Sequence, residues 1–110
     1  MSFCRVATLD ELWIGEKLSR VVDGRRVLLV NHEGAVCAYE DRCRHQGVLL
    51  SEGRIVDHVL TCAAHGWEYD VRTGRGINPD NVRLRRYDVK IAGTDIWIDT
   101  TAEETNDGSS

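Results

Sequence analysis

Two short motifs gather the residue types that hold metal ions: Cys43-Arg-His45 and, after a gap of sixteen residues, Cys62-Ala-Ala-His65. Each supplies one thiol and one imidazole, and the thiolate and the neutral ring are both good donors to zinc or iron. Either motif alone is commonplace. Together, at matching offsets and in segments of turn character, they make a set of two sulfur and two nitrogen donors.

Zinc accepts two Cys and two His, but structural zinc sites usually draw them as a Cys pair and a His pair. Here the types interleave, one of each per segment. That suits a two-iron, two-sulfide cluster in which each segment gives its Cys to one iron and its His to the other. A zinc-stabilised binding module is the competing reading. The remaining cysteines, Cys4 and Cys37, lack a histidine neighbour and sit in apolar stretches, so they read as small buried hydrophobes. His32 and His58 have no Cys partner and are expected in turns or at the surface. Trp13 and Trp97 are expected in the core.

Short strands separated by turn signals must position these groups. Thr8-Leu-Asp-Glu11 has the spacing of a capping box, which predicts one helical turn before Gly15. Leu18–Val22 and Arg26–Val30 flank Asp23-Gly24, a strong hairpin signal. Asn31-His-Glu-Gly34 reads as the next turn and Ala35–Glu40 as the next strand. Further strands are expected at Arg5–Ala7, Arg54–Val56, His58–Thr61, Trp67–Asp70, Leu84–Ile91 and Ile96–Asp99. This rhythm predicts an all-β fold. It breaks at 41–53 and 61–67, the segments that carry the donors, as expected for chemistry held on loops by a rigid scaffold. The expected domain is 1–99, with 100–110 as a flexible polar tail.

With 110 residues, 42% of them apolar, the chain has room for one domain with a modest core. No apolar run approaches the roughly 18 residues of a membrane span. The N-terminus lacks the plan of a signal peptide, so the cytoplasm is the expected location. A net charge of −4 argues against nucleic acid as partner. The charge is uneven: residues 42–86 hold eight arginines against five acids, and the rest holds six bases against thirteen acids.

Cys-x-His, sixteen residues, Cys-x-x-His is the pattern of the Rieske family, and the chain resembles its small ferredoxins. The flanking stretches Met-Ser-Phe at 1–3, Leu-Asp-Glu-Leu-Trp-Ile-Gly-Glu at 9–16, His45-Gln46 followed by Leu49-Leu50-Ser-Glu-Gly53, and Gly76-Ile-Asn-Pro-Asp80 are similar to the ferredoxin components of multicomponent toluene/alkene di-iron monooxygenases. The resemblance implies an antiparallel β-sandwich, the Rieske fold, with an inserted cluster-binding subdomain. It implies one [2Fe–2S] cluster, with Cys43 and Cys62 on the buried iron and His45 and His65 on the outer one. Gly76–Asp80, within a third loop at 74–80, corresponds to the family's proline-containing loop over the cluster, with Pro79 in it. Arg44, Gln46, Trp67 and Tyr69 lie beside the ligands in sequence or in the corresponding strand. Trp67 has a shielding or exit-face role or a core role, and Tyr69 bonds a Cys sulfur or simply packs.

Two ferric ions, two sulfides and two thiolates sum to zero charge when both histidines are neutral. Replacing thiolates by imidazoles therefore raises the potential above that of an all-Cys centre, and the added electron belongs on the His-bound iron. Respiratory Rieske proteins carry an extra disulfide between the cluster loops and a serine after the His-Gly. This chain has Val48, Ala64 and Trp67 there, which places its expected potential at the low end of the range, on the order of −150 mV. Arg44 replaces the proline between the first two ligands in the toluene monooxygenase ferredoxins, and a cation there favours reduction. The role implied is that of a one-electron carrier, not an enzyme, between an NADH-dependent flavoprotein reductase and an oxygenase. It is expected to be a monomer that makes transient complexes. A ring-hydroxylating dioxygenase ferredoxin and the small subunit of an assimilatory nitrite reductase are similar alternatives. An oxygenase's own Rieske domain would need a second, mononuclear iron domain.

Overall fold

A computed structural model describes residues 3–43, 48–64 and 66–103 of the chain. Among the described residues, ten strands form two antiparallel sheets. The larger contains β1 (Cys4–Thr8), β2 (Lys17–Val22), β3 (Arg25–His32), β4 (Ala35–Glu40), β9 (Arg86–Ala92) and β10 (Asp95–Glu103), in the order β1-β10-β9-β4-β3-β2. The smaller contains β5 (Arg54–Val56), β6 (Val59–Thr61), β7 (Glu68–Asp70) and β8 (Gly76–Asn78), in chain order. The smaller sheet is thus an insertion between β4 and β9, strands that themselves pair at Ala38↔Tyr87.

The larger sheet curls until its edges meet, where the Arg20 guanidinium Nε donates to the Val6 carbonyl of β1 (3.2 Å). Its concave side holds Ala7, Leu12, Val22, Val27, Leu29, Ala38, Tyr87, Ile96 and Ile98. Strand alternation sends Leu28 and Val30 of β3, and Cys37 and Tyr39 of β4, to the opposite face. There they pack with Cys43, Leu50, Leu60, Cys62, Tyr69, Val71 and Leu84 in a second core shared with the small sheet. The middle of β3 is buried on both faces and must be apolar, which explains the run Val27-Leu-Leu-Val30.

The local signals work as their chemistry requires. Asp23 and Gly24 both take positive φ (51° and 78°), the mirror-image turn that suits a two-residue hairpin. A 3₁₀ turn spans Leu9–Glu11, and the Glu11 carboxylate accepts the Thr8 N–H at 2.9 Å. Asp41 is buried at the end of β4, where its carboxylate accepts the Ser19 hydroxyl and the Ser51 N–H, each at 2.8 Å. That carboxylate ties β2 to the turn at Leu50–Glu52.

Four expectations need correction. Asn31 is not in a turn. It lies in β3, is buried, donates to the Leu12 carbonyl and accepts the Gly34 N–H, so only Glu33-Gly34 turns. Trp13 is 69% exposed at the rim of the 3₁₀ turn, where its indole N–H donates to the Asp10 carbonyl. Trp97 is half-buried, with the Lys90 ammonium 5.9 Å from its ring. The last strand outlasts its expected end: β10 continues to Glu103, with Asp99 and Thr100 buried, and residues 104–110 lie outside the described residues.

Candidate metal centre

Cys43 and Cys62 converge in the shared core, where they are 1% and 2% exposed. Two loops deliver them, and the loops are built alike. The Cys43 N–H donates to the Val48 carbonyl and the Cys62 N–H to the Trp67 carbonyl, both at 2.7 Å and both five residues on. Each cysteine therefore starts a loop that returns on itself, and each loop holds its histidine, His45 or His65, between the hydrogen-bonded ends. His45, Arg44, Gln46 and His65 lie outside the described residues. So the structure brings together the two sulfur donors of the motif and the frames of the two loops.

The surroundings are apolar. Leu50, Leu60 and Tyr69 are fully buried around the cysteines, and Val48, Ala64 and Trp67 pack against the same cluster. Trp67 is half-buried, so its ring is part of the wall over this core. Tyr69 combines both roles left open for it: it is fully buried in β7, and its hydroxyl lies 3.4 Å from the Cys43 sulfur. Burial pushes the Cys62 thiol up, the Ala64 amide N–H beside it pulls the other way, and the neighbouring Cys43 raises it again. A site that resists a bare thiolate this way accepts one when a cation compensates, as a metal does. The donor set thus fits an iron–sulfur group, and the sequence places the two imidazoles that complete it on the same loops.

The third segment also closes here. Gly76 sits so tightly against the carbonyl of Pro79 and the side chain of Val82 that no Cβ would fit, and the Asn78–Pro79 bond is cis. Its N–H donates to the Val82 carbonyl at 2.8 Å. Inside 74–80, β8 pairs with β7 through Glu68↔Asn78 and Tyr69↔Gly76, a strand the sequence reading treats as loop. Pro79 is half-buried at its end.

A family model for the Rieske [2Fe–2S] domain matches residues 2–88. The chain belongs to the Rieske [2Fe–2S] family. The ferredoxin component of the alkene monooxygenase system of Xanthobacter autotrophicus Py2 is 43% identical over 101 residues, covering 91% of this chain and 83% of that one. The biphenyl dioxygenase ferredoxin subunit of Pseudomonas sp. KKS102 is 34% identical, covering 90% of this chain and 93% of that one. Among solved structures, the ferredoxin of carbazole 1,9a-dioxygenase from Nocardioides aromaticivorans IC177 superposes with a TM-score of 0.81 at 34% identity, covering 89% of this chain and 97% of that one. The inserted small sheet with paired loops is therefore the Rieske cluster-binding subdomain, and the group that the family carries is a [2Fe–2S] cluster.

The remaining histidines and cysteines sort differently from the simplest reading. His32 and His58 are both half-buried, and their rings meet edge to face with centroids 6.4 Å apart, at the seam between the two sheets. Nothing in the sequence linked them, since His32 ends β3 and His58 lies in the turn between β5 and β6. Cys37 is buried as expected and has the Arg86 guanidinium 3.6 Å from its sulfur; Cys4 is half-buried. None of the four cysteines is in a disulfide, and Val48 and Ala64 pack against the core that holds Cys43 and Cys62.

Proposed function

We propose that this Rieske ferredoxin takes electrons one at a time from an NADH-dependent flavoprotein reductase and passes them to the oxygenase component of a multicomponent monooxygenase. The near full-length match to a monooxygenase ferredoxin carries this reading. In it, Cys43 and Cys62 hold one iron as thiolates, and His45 and His65 hold the other as neutral imidazoles. The bound cluster supplies a one-electron couple above that of an all-Cys centre.

The chain's own residues then have defined tasks. The matched loops fix the two cysteines with backbone hydrogen bonds to Val48 and Trp67. Leu50, Leu60 and Trp67 exclude water from the sulfur side. The Tyr69 hydroxyl, 3.4 Å from the Cys43 sulfur, donates to it once it is a thiolate. That hydrogen bond strengthens as the site gains negative charge, so it favours the reduced state. Tyr69→Phe is expected to leave the fold intact and lower the midpoint potential. Loss of about 1 kcal/mol of differential hydrogen bonding corresponds to about 40 mV for one electron. Protein-film voltammetry checks it, and an unchanged potential would show that the hydroxyl only packs.

The reading places the protein in the cytoplasm as a monomer whose complexes are brief. No helix among the described residues is long and apolar enough to cross a membrane. The 34% identity to a biphenyl dioxygenase ferredoxin supports a ring-hydroxylating dioxygenase as the second oxygenase class. Reconstitution decides between them: NADH-driven product formation with a di-iron hydroxylase is expected, and turnover confined to a dioxygenase terminal component would favour the second class. Failure with both would remove the carrier role.

A further inference from the structure

We propose that Arg25, Arg26 and Arg42 form a docking face for an acidic protein surface of one redox partner, an inference that rests on the carrier role. The three line one open cavity of about 400 Å³ with Gly24, Glu40, Asp41 and Leu49. Far apart in sequence, they meet because β3 pairs with β4: Val27 faces Glu40, and the Asp41 N–H donates to the Arg26 carbonyl at 3.0 Å. Among the described residues, none of the three has an ion pair or a side-chain hydrogen bond, and all are exposed. The two nearest acids on this face, Glu40 and Asp41, line the same cavity but are less exposed than the three arginines. Asp41 is buried and spends both oxygens on Ser19 and Ser51, and Glu40 is half-buried with an interaction of its own. Asp23, at the hairpin tip, does not line the cavity.

Three exposed guanidiniums, without an ion pair among the described residues, polarise a chain of net charge −4. Guanidinium forks match carboxylates bidentately, so the complementary occupant is a carboxylate-rich surface. Position gives the face its use. Arg42 directly precedes Cys43, and Leu49 follows Val48, whose carbonyl closes the Cys43 loop. A partner seated on these arginines therefore lies beside the residues that open and close the first metal-binding loop. Electron-transfer encounters bury little area, so a few rim charges set the association rate more than the final affinity. Arg72 provides the contrast, since it is neutralised by Asp70 at 2.8 Å.

The test uses cluster-loaded protein and follows electron transfer by stopped flow, in from the reductase and out to the oxygenase component, across an ionic-strength series. Combined Arg25→Gln, Arg26→Gln and Arg42→Gln is expected to slow the second-order rate about tenfold at low salt with one partner and to flatten its salt dependence. Lysine at the same three positions is expected to restore most of the rate, and Arg72→Gln to leave it unchanged. An unaltered visible spectrum shows that the variants hold the cluster. Salt slopes equal to wild type with both partners overturn the docking face while leaving the carrier role standing. If inorganic phosphate at constant ionic strength abolishes the effect with saturation, the face is a small-anion site and the proposal fails. Wild-type protein that exchanges electrons with neither partner overturns the carrier role itself, and the docking face with it.

Discussion

Iron removal, or Cys62→Ser, is expected to melt the small sheet while the large sheet stays folded. The reason is the division of the core. Strands β5 to β8 are three residues each, and their inward side chains pack on the same cluster that holds Cys43 and Cys62. Strands this short are marginal without a staple, and metal binding energy at such a site is folding energy. The concave core of the large sheet contains neither cysteine. Amide hydrogen exchange should therefore show Leu60 and Tyr69 losing at least about a hundredfold of protection in the apo-protein, equivalent to about 2.7 kcal/mol. Ile96 and Ile98, buried in the other core, should keep theirs. Uniform loss across both sheets, or no loss at all, would contradict the division.

The second large effect is expected at Gly53. Its backbone is extended (φ −82°), so no left-handed conformation demands glycine. Space does: a Cβ there would overlap the Thr61 carbonyl oxygen and press on that of Leu50 at 3.2 Å. Both contacts are backbone, and Thr61 is pinned in β6 by Arg54 and Glu68 on either side. Relief must come from moving Thr61, and Cys62 moves with it. Gly53→Ala is expected to cost about 3 kcal/mol, the upper range for overpacking, and to lower cluster content. Urea unfolding and the ratio of visible to protein absorbance measure the two. Gly15→Ala is the comparison: open space surrounds it, and only its positive φ of 89° is strained, at about 1–2 kcal/mol.

Much of this was readable from residues because the signals were local. Asp23-Gly24 predicted its hairpin, the capping-box spacing its short turn, and Ala35–Glu40 a strand with those bounds. The Cys and His offsets pointed to the cofactor because ligand spacing is itself local chemistry. What escaped was set by packing at a distance. Nothing in Trp13-Ile14 says that the chain turns them outward, since an apolar pair in sequence looks the same on either side of a wall. β8 was hidden because Gly76 and Asn78, poor strand formers, flank a single Ile, and the segment pairs only where Tyr69 and Glu68 present an edge. The His32–His58 contact and the Arg25–Arg26–Arg42 face both arise where segments far apart in sequence are brought side by side. The positive charge assigned to 42–86 was likewise redistributed: Arg72 is paired with Asp70, and two arginines from outside that span complete the open patch.

The central claim is a two-iron centre held by Cys43 and Cys62 on one side and His45 and His65 on the other. Nitrogen hyperfine spectroscopy of the reduced, cluster-loaded protein tests it most directly. Two strongly coupled histidine nitrogens are expected, one of which vanishes on His45→Cys and the other on His65→Cys. A colourless protein with stoichiometric zinc, or a paramagnetic centre with no coupled imidazole nitrogen, would contradict it.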